Sequence, residues 1–533
     1  MKKVLKERAM ALLSGWKQVW KEYPRRTALF WTFLAIGIFA RAYMFGDVPG
    51  DINQDEAFAG YNAFTLLHHG KDSYGYPMPV YLTAWGSGMN ALESYLMIPF
   101  VALFGLKVWA IRLPMLLVGI FSLVAVYKLV LRFSNEKFAL AALLMAAISP
   151  WHIMLSRWAL ESNFAPGFVL FGIFFFVKGL QNQKFLMASA AFFGLSLYAY
   201  ATIWAVVPII ILGSVLYAIW TRALKMDRYL WISLGILSAL AIPLMLFLMV
   251  NKDIISEIRL PFYSIPKLVY FRDSEISFSQ IPQNLANLWS ILTNQSDGLP
   301  WNAIRNYGIF YPVTLAFCFI GLIPTVWNTI QDIRKRSLGL DFFVLLWTLA
   351  GFIIGALINV NINRVNLLFL PLLILAARGI LMTFSYIHPK TLWIPLFAYL
   401  LYFCTFEKEY FTTYKDSIGQ HFCEGLEDAM TFATSKLAPG QNMVVDPNTS
   451  YPRILFYGKV DLNAYLSTVK YINFPSAFLY VSSFDKYVFT NSVNHINKNA
   501  VYLLENSADR MNSLQDSGFQ VRNFGKYLVG FAD

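Results

Sequence analysis

The length of its apolar runs limits this chain more than any other feature. Arg112–Arg132, Ile203–Trp220, Leu230–Val250 and Phe342–Val360 each approach the roughly 20 residues a helix needs to cross about 30 Å of hydrocarbon. Inside a bilayer each backbone N–H and C=O must find a partner within its own segment, so each run is expected to be a helix. Only 14% of the residues are charged and 57% are hydrophobic, against about 25% charged in soluble domains. The chain therefore reads as a polytopic α-helical membrane protein. Cys318, Cys404 and Cys423 suggest no disulfide framework, and two of them lie in apolar runs. The net charge of +12 is placed in short loops, which points to the inner face of a membrane and not to nucleic acid.

Charge placement sets the expected topology. Lys2, Lys3, Lys6, Arg8, Lys17, Lys21, Arg25 and Arg26 precede the first run, Thr27–Phe45. No small-residue cleavage site follows that run, so it reads as a retained span with its N-terminus in the cytoplasm. The later spans read as Arg112–Arg132, Phe138–Ser156, Phe164–Val177, Phe185–Tyr200, Ile203–Trp220, Leu230–Val250, Tyr311–Ile330, Phe342–Val360, Val365–Phe384 and Leu392–Phe406. About eleven spans result, with the basic loops inside and the C-terminus outside a cytoplasmic membrane. Ala91–Phe104 is apolar but short and carries Glu93 and Pro99. Counting it as a span would invert every later loop, so it is expected to lie at the interface or re-enter.

The expected organisation is a transmembrane domain over residues 1–406, with outer loops at 46–111 and 251–310, and an extracytoplasmic α/β domain over 407–533. The tail alternates a helical pattern (Cys423–Lys436) with short β-like runs at Met443–Val445, Ala477–Val481 and Ala500–Leu504. Its size suits one domain.

The first outer loop holds Asp55-Glu56, in a chain with only 31 acidic residues. Asn53 and Glu56 together suit a capping box for the helix that follows, which requires no chemistry. The functional alternative is a general base directed at a substrate hydroxyl. Ligation of Mg²⁺ or Mn²⁺ by hard oxygens is a further option, so no cofactor is firmly expected. On the same expected face lies Ser149-Pro150-Trp151-His152, followed by Arg157 and Glu161. Arg157 and Glu161 are four apart and suit an intrahelical ion pair. An outer Arg also breaks the positive-inside trend, and its planar fork matches phosphate oxygens, so Arg157 held by Glu161 is expected to contact phosphate. His152 suits either a satisfied interfacial histidine or a ligand. Arg364 stands alone in another outer turn, where snorkelling also explains it. The second outer loop mixes Arg259, Lys267 and Arg272 with Tyr263 and Tyr270, a weak pattern for headgroups or sugar stacking.

Asn53-Gln54-Asp55-Glu56-Ala57 with its helix to His68-His69-Gly70, then Arg112-Leu113-Pro114, then Ser149-Pro150-Trp151-His152 with Arg157 and Glu161, resembles the GT-C glycosyltransferases. The nearest group is that of the protein O-mannosyltransferases and aminoarabinose transferases, families 39 and 83. The resemblance covers about the first 380 residues. It implies a polyprenyl-phosphate sugar donor, an acceptor approaching from outside (protein hydroxyl, glycolipid or cell-envelope polymer) and an inverting displacement. It also implies Asp55 as base, Glu56 as its partner and Arg157 as a phosphate contact. Arg364 sits where the group often has an Arg before a Leu-Pro pattern; Leu370-Pro371 follows here, but Val365 replaces the usual aromatic.

Two other classes compete with this one. A transporter or flippase of an anionic lipid-linked glycan would place ionisable residues at mid-membrane; Arg41, the nearest case, lies at a span end and is expected to snorkel. A non-catalytic scaffold would tolerate loss of Asp55, Arg157 and Glu161.

Overall fold

The computed structural model describes residues 24–271, 276–491 and 497–532. Lys2 to Lys21 of the basic flank, and Arg272, lie outside the described residues. The chain is a multi-pass helical membrane protein with a C-terminal β-sheet domain. Among the described residues, seven helices are long and apolar enough to cross a bilayer: Val108–Phe133, Glu161–Gly179, Ile203–Trp220, Arg228–Asn251, Thr314–Lys335, Leu340–Leu357 and Ile362–Ile387.

The other four expected runs are helical too, in different forms. Pro24–Ala42 and Trp393–Phe411 are 19-residue helices, and Lys184–Ser196 has 13 residues. The run expected over Phe138–Ser156 is broken into Glu136–Ile148 and Pro150–Leu155. The break has a local cause: Ser149 is extended and caps the second piece through His152 N–H, and Pro150 fills its first turn, where no N–H is needed. Leu92–Phe104 is a 13-residue apolar helix, below spanning length.

In the tail, a seven-stranded sheet runs in the spatial order Gln520–Phe524, Tyr527–Phe531, Ala500–Glu505, Asn442–Val445, Tyr487–Phe489, Val481–Phe484, Lys470–Tyr471. The central Asn442–Val445 is parallel to both neighbours, and its MVV run is buried, as a strand covered on both faces requires. The strand expected over Ala477–Val481 forms instead at Val481–Phe484. Upstream of it, Leu479 N–H donates to Trp85 O at 2.7 Å and Phe478 forms a bridge with Gly86, so this segment pairs with the first loop.

The two long loops and the tail therefore meet on one side of the bundle. Tyr76 donates to Glu257 across the two loops at 3.0 Å, Pro79 bridges Ser264, and Tyr61 donates to Val460 O in the tail at 2.9 Å. The helix Tyr451–Gly458 packs directly on Gln54–His69. Gly60 makes this approach close: a Cβ there would stand 2.8 Å from the Phe456 ring and 3.2 Å from Ile111. Gly60→Val is therefore expected to loosen the tail from the bundle. Limited proteolysis should cut the variant's tail faster than the wild type's, and the thermal midpoint should fall by several degrees, the response to overpacking worth ~1–3 kcal/mol.

Candidate active site

Asp55 and Glu56 open the helix Gln54–His69, and the capping box forms. Asn53 Oδ1 accepts from Asp55 N–H at 2.9 Å, and Asn53 N–H donates to Glu56 Oε2 at 3.1 Å. Glu56 does more than cap. It is fully buried, and Arg112 binds it with two parallel bonds, Nε to Oε1 and Nη2 to Oε2, both 2.8 Å. Ala159 N–H adds a further bond to Oε1 at 2.7 Å. Both carboxylate oxygens are thus committed, and a fork-to-fork pair of this kind is the strongest form of carboxylate recognition.

Asp55, one residue earlier, is half-buried, and no such pairing holds its carboxylate. Burial pushes its carboxyl above the usual carboxylate range; nearby Arg453 and the Trp85 side chain draw it back, and Glu56 adds to the rise. Trp85 is held in the left-handed region (φ 57°), and its ring packs on Tyr451 and Phe58 at centroid distances of 5.2 and 6.1 Å. A bulky residue in that region marks a locally over-determined site.

The other expected residues are arranged differently. Arg157 is fully buried and donates to four backbone carbonyls: Val48 at 3.1 Å, Ala40 at 3.1 Å, Arg41 at 2.9 Å and Met44 at 2.9 Å. Its guanidinium also lies over the rings of Phe411 and Tyr410, 4.9 and 5.4 Å from their centroids. It holds the irregular chain after the Pro24–Ala42 helix, so the expected Arg157–Glu161 pair does not form. Glu161 instead accepts from Asn90, through the backbone N–H and from Nδ2 at 3.1 Å. The two are not on one helix: Leu155 ends one helix and Glu161 opens a 3₁₀ turn, so the four-residue spacing does not bring them face to face.

His152 is buried, and its Nδ1 accepts from Arg41 Nη2 at 2.7 Å. Arg41 does not snorkel. It is fully buried and collects the carbonyls of Gly37, Ala146 and Ala147 at 2.7–3.0 Å. Arg364 is half-buried at the N-terminal end of the Ile362–Ile387 segment and donates to Asn359 O at 3.1 Å.

Three residues that sequence reasoning did not assign belong to the site. Arg112 counted only as part of a motif, although an Arg inside an apolar run is a signal by itself. Beyond Glu56, it donates to the carbonyls of Pro49 and Asp51 at 2.7 Å each and Gly46 at 3.3 Å. Glu93 on the Leu92–Phe104 helix is buried, and its Oε1 has no hydrogen-bond partner among the described residues. Burial, then the charges of Glu161, Glu56 and Asp55, hold its carboxyl well above the usual range. Four carboxyl groups from three segments thus converge. They do not form a metal cradle: among the described residues, no group of three or more His, Cys, Asp or Glu is placed to hold an ion. Arg453, from the tail, is the third.

A bundle of apolar helices, a first long loop opening on a capped acidic helix and a sheet domain seated on that loop now have a precedent. Residues 92–247 match the family model described as dolichyl-phosphate-mannose-protein mannosyltransferase. ArnT from Cupriavidus metallidurans in the apo state superposes with a TM-score of 0.54 at 14% identity, covering 95% of this chain and 97% of that one. The chain has the fold of this ArnT. The same ArnT bound to undecaprenyl phosphate matches at 0.51, with 14% identity and the same coverage. The oligosaccharyltransferase of Archaeoglobus fulgidus, tethered to an acceptor peptide, is more distant: TM-score 0.46, 11% identity, 80% of this chain and 62% of that one. No curated protein matches the sequence. The family match begins at Leu92 and takes in Glu93, Arg112, His152, Arg157 and Glu161, whereas Asp55 and Glu56 precede it.

The two neighbouring carboxylates should respond oppositely to mutation. Arg112→Met leaves Glu56 buried without its counter-ion and is expected to cost ~3–5 kcal/mol, as breaking a buried pair does. Asp55→Asn should leave the thermal midpoint of the purified protein within a degree or two of the wild type, because no pairing is lost. Thermal unfolding in detergent reads both.

Proposed function

We propose that this chain is an inverting glycosyltransferase that moves a sugar from a polyprenyl-phosphate donor to an acceptor hydroxyl on the outer face of a cytoplasmic membrane. The observation that carries this reading is the division of labour at the start of one helix: Glu56 is locked by Arg112, and Asp55 beside it stays half-buried and open. A base needs lone pairs free to accept a proton, and a raised carboxyl pKa brings it closer to the operating pH. The donor class is supported by the undecaprenyl phosphate bound to ArnT, a protein of the same fold.

Asp55 takes the proton of the acceptor hydroxyl as its oxygen attacks the anomeric carbon. The bond from that carbon to the lipid phosphate oxygen breaks, and the phosphate leaves with the electron pair on the opposite face. Glu56 and Arg112 act as supports that fix where Asp55 sits. Arg157 is fully committed to backbone carbonyls and is not proposed as the phosphate contact. Arg364, half-buried at the start of the Ile362–Ile387 segment, is proposed for that role instead. Both termini of the reading follow from the charge-derived topology, with the N-terminus inside and the tail outside.

The test uses membranes from cells that lack this chain, which retain their own unused donor and acceptor. Adding purified wild-type protein should produce a new glycan mass by mass spectrometry. Asp55→Asn should reduce its formation by about 10²–10⁴-fold, the usual worth of a general base. Full activity of Asp55→Asn would overturn the assignment.

A further inference from the structure

Resting on that reading, we propose that the C-terminal domain completes the catalytic site, with Arg453 as the positioning residue that keeps Asp55 available as the base. Arg453 lies on Tyr451–Gly458, the helix packed against Gln54–His69, and is only 6% exposed. Its Nε donates to Ile52 O at 3.1 Å, three residues before Asp55. Its Nη1 donates to Thr449 O at 3.1 Å and to Ser450 Oγ at 3.3 Å, in the turn that opens its own helix. The guanidinium plane is thereby fixed between the two domains, and among the described residues Nη2 carries no hydrogen bond.

The contrast with Arg112 explains what this arrangement achieves. Arg112 binds Glu56 through two short bonds, which commits both oxygens. Arg453 lies in electrostatic range of Asp55, and no ion pair within 4.0 Å joins them among the described residues. A cation at that remove favours the charged carboxylate and leaves its lone pairs open to a hydroxyl proton. Without it, Asp55 would face burial together with the charges of Glu56 and Glu93. The other neighbour, Trp85, is also anchored by the tail, through Leu479 N–H and the Tyr451 ring. Both side chains flanking Asp55 therefore depend on the C-terminal domain.

The experiment measures product formation from pH 5 to 9 for full-length wild type, Arg453→Ala, Arg453→Gln and Arg453→Lys, on the membranes described above. Removing the cation makes Asp55 harder to ionise, so activity should rise with pH later than in the wild type. Arg453→Ala and Arg453→Gln should both move the acidic limb up by about one pH unit, a tenfold loss at low pH that shrinks as pH rises. Arg453→Lys should keep the wild-type limb. Arg453→Gln retains hydrogen bonding to Ile52 O, so it remains decisive if Arg453→Ala does not fold. A pH-independent loss in every variant, or an unshifted limb in Arg453→Gln, would overturn the inference. Neither result would touch the assignment of Asp55, which stands or falls on Asp55→Asn.

Discussion

The buried pair between Arg112 and Glu56 is the contact on which the loop-and-tail side of this protein depends. Two charges removed from water are costly unless each finds its complement. Here Glu56 receives two guanidinium bonds and two backbone N–H groups. Arg112 spends its remaining donors on the carbonyls of Gly46, Pro49 and Asp51. The pair thus joins a membrane span, a capped helix and the irregular chain between the first helix and the acidic motif. Arg157 gathers the other half of that chain, taking the carbonyls from Ala40 to Val48. Backbone without regular structure is tolerated at this depth only when its polar groups are satisfied by protein. The two arginines do that together, and Asp55 has a defined position as a result.

The same arrangement separates the roles of adjacent residues. A helix start presents Asp55 and Glu56 about 100° apart, so they face different surroundings. One turns into the protein and is neutralised; the other lies near Trp85 of the first long loop and Arg453 of the tail. Glu93 and Glu161 reach this region from other segments, one with an orphan oxygen and the other held by Asn90. Clusters of like-charged groups in poor solvent are where perturbed proton affinities arise.

Much of this was legible in the residues. Run length and the placement of Lys and Arg revealed the membrane class and which polar regions share a side. The capping box over Asn53 and Glu56 was readable because it depends on three-residue spacing alone. Arg157 was misread for a physical reason. A spacing of four implies a shared helical face only if one helix spans both residues, and Pro150–Leu155 stops before Glu161. His152 suited a satisfied histidine and a ligand equally, because the partner that satisfies it, Arg41, is 111 positions away in sequence. Arg453 gave no local sign, because its importance comes from a contact across 401 positions.

By itself, then, the sequence determined that the long apolar runs form helices and that a capped helix starts at an acidic pair. Those outcomes follow from solvation and short-range geometry. The tertiary structure decided which carboxylate is locked and which is open, which arginines serve as internal staples, and that the tail reaches the site. Each of these rests on burial and on partners distant in sequence, and neither composition nor spacing encodes them.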